Sequence, residues 1–120
     1  MNETEIKSLS PRDRIKLNKL ESIFKSITAI DESMPLGQVR FLIAVAKNEG
    51  KCLKDITTEC GMLVGTSSRY LANLMFIPKY RKNAGVALVR AYESPIDRRQ
   101  KIIVLTPAGK KLVERLIESS

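Results

Sequence analysis

The chain has 120 residues, 43% hydrophobic and 28% charged, which suits one soluble globular domain able to bury about two-thirds of its unfolded surface. No apolar run approaches the ~20 residues of a membrane span, and the start MNETEIKSLS lacks the basic opening and apolar core of a signal peptide, so an intracellular, cytoplasmic protein is expected. The net charge of +8 is concentrated: residues 61–101 carry eight Lys/Arg against two Asp/Glu, while 1–60 carry ten against nine and 102–120 three against two, a pattern that points to nucleic acid.

In chain order, residues 1–9 are polar and expected to fray. Ser10-Pro11-Arg12-Asp13 is a helix start, with a capping hydroxyl, proline at the first position and an early acid. Leu20, Ile23, Phe24, Ile27 and Ile30 then recur at helical spacing, so a first helix runs to about Ile30. Its apolar stripe is long enough to require burial, either against the domain or against a second copy. Pro35 and Gly37 break the chain. A second helix follows over roughly Leu36 to Asn48, buried through Val39, Leu42, Ile43, Val45 and Ala46, and Glu49-Gly50 ends it. Lys51-Cys52-Leu53 is extended and could add a strand to the hairpin described below. A short helix from about Lys54 to Cys60 closes at Gly61, a residue suited to a left-handed cap.

The next stretch, MLVGTSSRYLANL, is a helix with two characters. Ser67, Leu71 and Leu74 share a core-facing side, and Gly65, Arg69 and Ala72 lie roughly opposite, flanked by Thr66, Ser68 and Asn73. Small residues for close approach, one arginine and hydrogen-bonding side chains suit a helix that enters a major groove. Pro78 ends it, and Lys79, Tyr80, Arg81 and Lys82 form a basic loop. Two short strands follow, one through Leu88, Val89 and Tyr92 and one over Ile102–Leu105, joined by the tip ESPIDRRQ. That tip projects Arg98 and Arg99. Thr106 and Pro107 then start a last helix, which turns Leu112, Val113, Leu116 and Ile117 to one side as far as about Ser119.

The order is helix, helix, short strand, short helix, turn, helix, basic hairpin, helix. The expected fold is therefore mainly α with a small β-hairpin wing, a winged helix–turn–helix. Two blocks resemble the MarR family of bacterial and archaeal transcription regulators. GMLVGTSSRYLANL is similar to the family's turn glycine and recognition helix. ALVRAYESPIDRRQKIIVLTPAGKKL is similar to its wing and following helix, with Asp97-Arg98-Arg99 and Leu105-Thr106-Pro107-Ala108-Gly109 at the family's spacing. PLGQVRFLIAVAKNEG is a weaker third match. Leu63 stands where the family usually has a capping Ser or Asp, Ala87 replaces a common glycine, and Arg90 comes one position before the usual arginine. About nine additional residues separate recognition helix and wing.

The resemblance implies a regulator that binds double-stranded DNA as a homodimer, one domain over 1–120 with dimerisation helices at 10–30 and 107–119. Recognition helix 64–76 would lie in the major groove. The DNA-binding residues are then Gly65, Thr66, Ser68, Arg69, Asn73 and Arg90, the loop cations Lys79, Arg81 and Lys82, and Arg98 and Arg99 at the minor groove. Asp97 would brace the wing. Two other readings use the same residues: an accessory protein in replication or partition of a mobile element, and a winged helix that binds protein. An enzyme is not expected. With no histidine there is no Ser-His or Cys-His pair and no His-based metal site, and Cys52 and Cys60 are too far apart for a CxxC motif. Both cysteines are read as reduced and structural, and neither metal nor cofactor is expected.

Overall fold

A computed structural model describes residues 8–78 and 85–120 of the chain. Residues 1–7 of the polar start, and the loop cations Lys79, Arg81 and Lys82, lie outside the described residues. The first helix, α1 (Pro11–Thr28), begins with Ser10 Oγ accepting from the Asp13 amide at 3.1 Å and with Pro11 at the first helical position. It stops two residues before the expected Ile30, and its end tightens, the Ile30 amide donating to the Ile27 carbonyl three residues back at 3.0 Å.

The second helix, α2 (Leu36–Lys47), is the centre of the molecule. Phe41, Leu42 and Val45 are fully buried, and Gln38 is buried with them. Ile43, expected inside, is exposed instead. The helix is apolar nearly all round, so spacing alone does not say which side faces in, and Phe41 takes the inner position. Gly50, at φ +86°, carries the chain out of this helix. The expected strand at 51–53 shrinks to one bridge, Cys52 opposite Ile102, supported by Gly50 N–H to Ile103 O at 2.8 Å and Ile103 N–H to Lys51 O at 3.0 Å.

Helix α3 (Leu53–Cys60) starts one residue earlier than expected and ends on Gly61 at φ +67°. Three residues then lead to α4 (Val64–Met75). Two short antiparallel ladders follow. In the first, β1 (Ile77–Pro78) pairs with β2 (Gly85–Val86), with Ile77 opposite Val86. Residue patterning gives no sign of this ladder, where Pro78 is expected only as a helix stop. The second is the hairpin, β3 (Val89–Glu93) against β4 (Lys101–Leu105), in register Val89 with Leu105 and Glu93 with Lys101. The last helix is α5 (Pro107–Ser119).

α2 packs against α3, α4, β4 and α5. The core so formed includes fully buried Ile56, Leu74, Leu88, Ile103 and Leu112, each contributing roughly 1.5–3 kcal/mol through removal from water. Glu49, two residues past the end of α2, ties this core to the wing: its Oε1 accepts from the Leu105 amide at 3.0 Å. The chain's ends are different. α1 packs on α5, yet Ile27 alone of its 18 residues is buried. Leu20 and Phe24 of its apolar stripe remain 50% and 48% exposed, and Ile117 of α5, expected beside Leu112 and Leu116, is also exposed. The molecule is correspondingly extended, with a radius of gyration of 17.7 Å where a compact chain of this length has roughly 14 Å.

Candidate nucleic-acid interface

Helix α4 stands on Gly61. Its left-handed backbone ends α3 and sends the Met62 amide back to the Thr57 carbonyl at 3.3 Å, a turn that glycine makes without steric cost. Ser67, Leu71 and Leu74 face the core and are buried, while Gly65, Arg69 and Ala72 are exposed on the opposite side. The far end of the helix is fixed by the Leu88 amide, which donates to the Leu74 carbonyl at 2.9 Å. That bond joins α4 directly to the start of the wing.

The polar residues expected to flank the outer face fall on different sides. Ser68 lines a cavity of about 730 Å³ between α4, α3 and the tip end of β4, shared with Leu53, Val64, Met75, Arg99 and Lys101. Asn73 lies on the other flank, where its Nδ2 donates to Oε1 of buried Gln38 at 3.2 Å and holds α4 to α2. Thr66 is half-buried. Arg69 is exposed, its guanidinium 6.0 Å from the centre of the Tyr70 ring.

The wing tip is organised by its own side chains. Ser94 N–H donates to Gln100 O at 2.9 Å, and the Gln100 amide donates to Asp97 O at 3.0 Å. Ser94 Oγ accepts from the amides of Ile96 and Asp97, both at 3.3 Å. Asp97 Oδ1 accepts from the Arg99 amide at 3.0 Å and from Arg99 Nε at 3.3 Å. The carboxylate thus sets the direction of a guanidinium whose side chain stays 92% exposed. Arg98 and Arg90 are exposed too, and among the described residues neither they nor Arg69 makes an ion pair. Ser94 is a bracing residue that was not expected from sequence, although Ser-Pro is a signal for turn initiation.

Cys52 and Cys60 are free and half-buried. Burial pushes the Cys60 thiol above its ordinary value against the pull of the Arg40 guanidinium, which disfavours the thiolate that reactive cysteines require. Among the described residues there is no cluster of His, Cys, Asp or Glu able to hold a metal ion, and no helix is long and apolar enough to cross a membrane.

Structural comparison matches the arrangement of the described residues, five helices and a two-stranded wing. The Staphylococcus aureus MepR–DNA complex superposes with a TM-score of 0.67 at 25% identity, over 92% of this chain and 82% of that one. A MarR transcriptional regulator from Methanosarcina mazei superposes with a TM-score of 0.62 at 20% identity, over 89% and 69%. The fold is the MarR-type winged helix. CouR, a transcriptional repressor bound to a 23-mer DNA duplex, shares it with a TM-score of 0.60 at 23% identity, over 89% and 68%. No protein-family model matches the chain, and no curated protein matches it by sequence. In MarR-type terms, α3 and α4 are the helix–turn–helix and β3–β4 is the wing.

Proposed function

We propose that this protein is a sequence-specific, double-stranded DNA-binding transcriptional regulator, acting in the cytoplasm as a homodimer. The observation that carries the reading is the braced wing beside α4. Asp97 and Ser94 hold a tip that presents Arg98 and Arg99, and the Leu88–Leu74 bond fixes that wing to the helix carrying Arg69. Guanidinium groups on one rigid frame suit a polyanion of fixed spacing. The MepR and CouR structures that share the fold are DNA complexes.

In this reading α4 lies in the major groove, with Thr66, Ser68 and Arg69 toward base edges or phosphates and Gly65 allowing close approach. Asn73 contributes chiefly by holding α4 to α2. Arg98 and Arg99 reach the minor groove or its phosphates, and Arg90 adds charge from β3. The segment carrying Lys79, Arg81 and Lys82 departs from α4 through β1 and returns through β2, and is assigned to the DNA backbone. The apolar surface left on α1 and α5 is assigned to a second copy, which sets two recognition helices about one DNA turn, ~34 Å, apart.

The test begins with selection of bound duplexes from random DNA, where the expected motif is palindromic. Arg69→Ala then lowers affinity for the selected site by roughly 1–3 kcal/mol and for random duplex by less. Arg98→Ala with Arg99→Ala lowers affinity on every duplex and flattens the salt dependence by about 0.9 log unit for each phosphate no longer neutralised. No enriched motif, or equal losses for both variants on both duplexes, overturns the assignment.

A further inference from the structure

The start of α4 breaks two rules at once. Leu63 occupies the N-cap position, where it makes no side-chain hydrogen bond to the first turn, leaving unmet donors that Ser, Thr, Asp or Asn would satisfy. It and the next residue, Val64, are also aliphatic side chains left 79% and 72% exposed. The core does not use them; Ser67, Leu71 and Leu74 make the helix's buried contact. Val64 begins an edge that continues through Ser68, Ala72 and Met75 at helical spacing, all lining the cavity on the wing side. α4 therefore has one flank that is mostly apolar and another that carries Thr66 and Asn73.

We infer that Leu63 and Val64 read thymine C5-methyl groups, giving the target site an apolar component of specificity. This rests on the reading of α4 as the recognition helix. Within the major groove the thymine methyl is the one apolar feature on the base edges; the others are donors and acceptors that an aliphatic side chain would desolvate without return. The surroundings select this occupant over a protein surface. Lys54, Arg99 and Lys101 line the same cavity as Val64, and Arg69 is exposed one turn further along, so anything that covers the aliphatic pair meets a cationic border. The larger apolar surface suited to a second copy lies on α1 instead. Close approach is open as well: a Cβ added at Gly65, next to Val64, meets nothing within 4 Å. A missing cap and two exposed aliphatics, each costly on a free helix, become useful where that helix end is covered by base edges.

The experiment uses the full chain and the duplex it selects from random DNA. Each thymine is replaced singly by deoxyuridine, which removes the methyl and leaves every hydrogen-bonding group in place, and affinity is measured at one fixed salt concentration. At one or two thymines in each half-site the exchange lowers affinity roughly fourfold, as expected for one buried methyl. In Leu63→Ser and Val64→Ser proteins the exchange has no effect at those thymines and retains whatever effect it has elsewhere. Leu63→Ser returns a capping oxygen to the helix, so a loss of methyl reading in that variant does not come from unfolding. A selected motif whose affinity is indifferent to every deoxyuridine overturns the inference and leaves the regulator reading standing, as does methyl dependence that persists in both variants. Failure to select any motif overturns both.

Discussion

Helices α4 and α5 are nearly equal in length and begin in opposite ways. At the start of α5, Thr106 is buried and fully engaged. Its Oγ1 accepts from the Gly109 amide at 3.0 Å, its hydroxyl donates to the Ala87 carbonyl, and its own amide donates to Leu88 O at 3.0 Å. Pro107 fills the first position, where no donor is missed. At the start of α4, Leu63 caps nothing and Gly65 faces open space. The first helix start locks the wing to the body. The second leaves its first turn without a side-chain cap and its glycine unpacked. The Leu-Thr-x-x-Gly pattern is thus a structural joint, whereas the stretch around Gly65 is exposed and unpacked.

The sharpest way to break the comparison is to place a methyl group at Gly109. A Cβ there lies 2.0 Å from Leu88 O and 3.0 Å from Leu88 C. Leu88 is fully buried, and its amide is bonded to Leu74 O, so the backbone has little room to retreat. Gly109→Ala is expected to destabilise the protein by about 2–3 kcal/mol, even after the ~1 kcal/mol that alanine adds to a helix. Urea unfolding measures this; an unchanged midpoint would show that the joint yields. Thr106→Ala removes the cap and the donation to Ala87 without adding bulk, and is expected to cost roughly 2 kcal/mol. Thr106→Ser, which keeps the oxygen, should recover most of that loss in the same measurement.

The fixed half of this comparison is also the half legible in the sequence. Ser10-Pro11, Gly61 and Thr106-Pro107 identify their helix ends because capping is local chemistry, decided within four residues. The inner face of α4 is legible for a related reason: Ser67, Leu71 and Leu74 differ in character from Gly65 and Arg69. Position in α2 is less readable, since a helix apolar on nearly every side gives no phase, and Ile43 is expected inside where Phe41 belongs. Relations between distant residues are not readable. The Asn73–Gln38 bond spans 35 residues, and the ladder of β1 and β2 has two residues in each strand, too few to show a period. Leu63 is visible in the sequence only as a departure from the family pattern. Its exposure, which turns that departure into a feature of the surface, needs the fold.

The same substitution at the other glycine should have the opposite sign and the smallest size. Gly65 lies in the first turn of α4, exposed, with nothing within 4 Å of an added Cβ, so alanine meets no steric cost there. Alanine also has fewer unfolded conformations to lose than glycine, and Gly65→Ala is expected to stabilise the protein by about 0.5 kcal/mol. Thermal unfolding monitored by circular dichroism reads that gain. Affinity should move the other way. If base edges cover the start of α4, the new methyl stands between them and the helix backbone, and binding to the selected duplex weakens while binding to random duplex changes less. A more stable protein with undiminished affinity would mean that DNA does not approach this turn closely, and the open space at Gly65 would then have no bearing on recognition. A less stable protein would mean that the turn is already packed, against the geometry that separates it from Gly109. A gain in stability joined to a loss of specific affinity is the result expected of a helix start left unfinished by the fold and completed by its target.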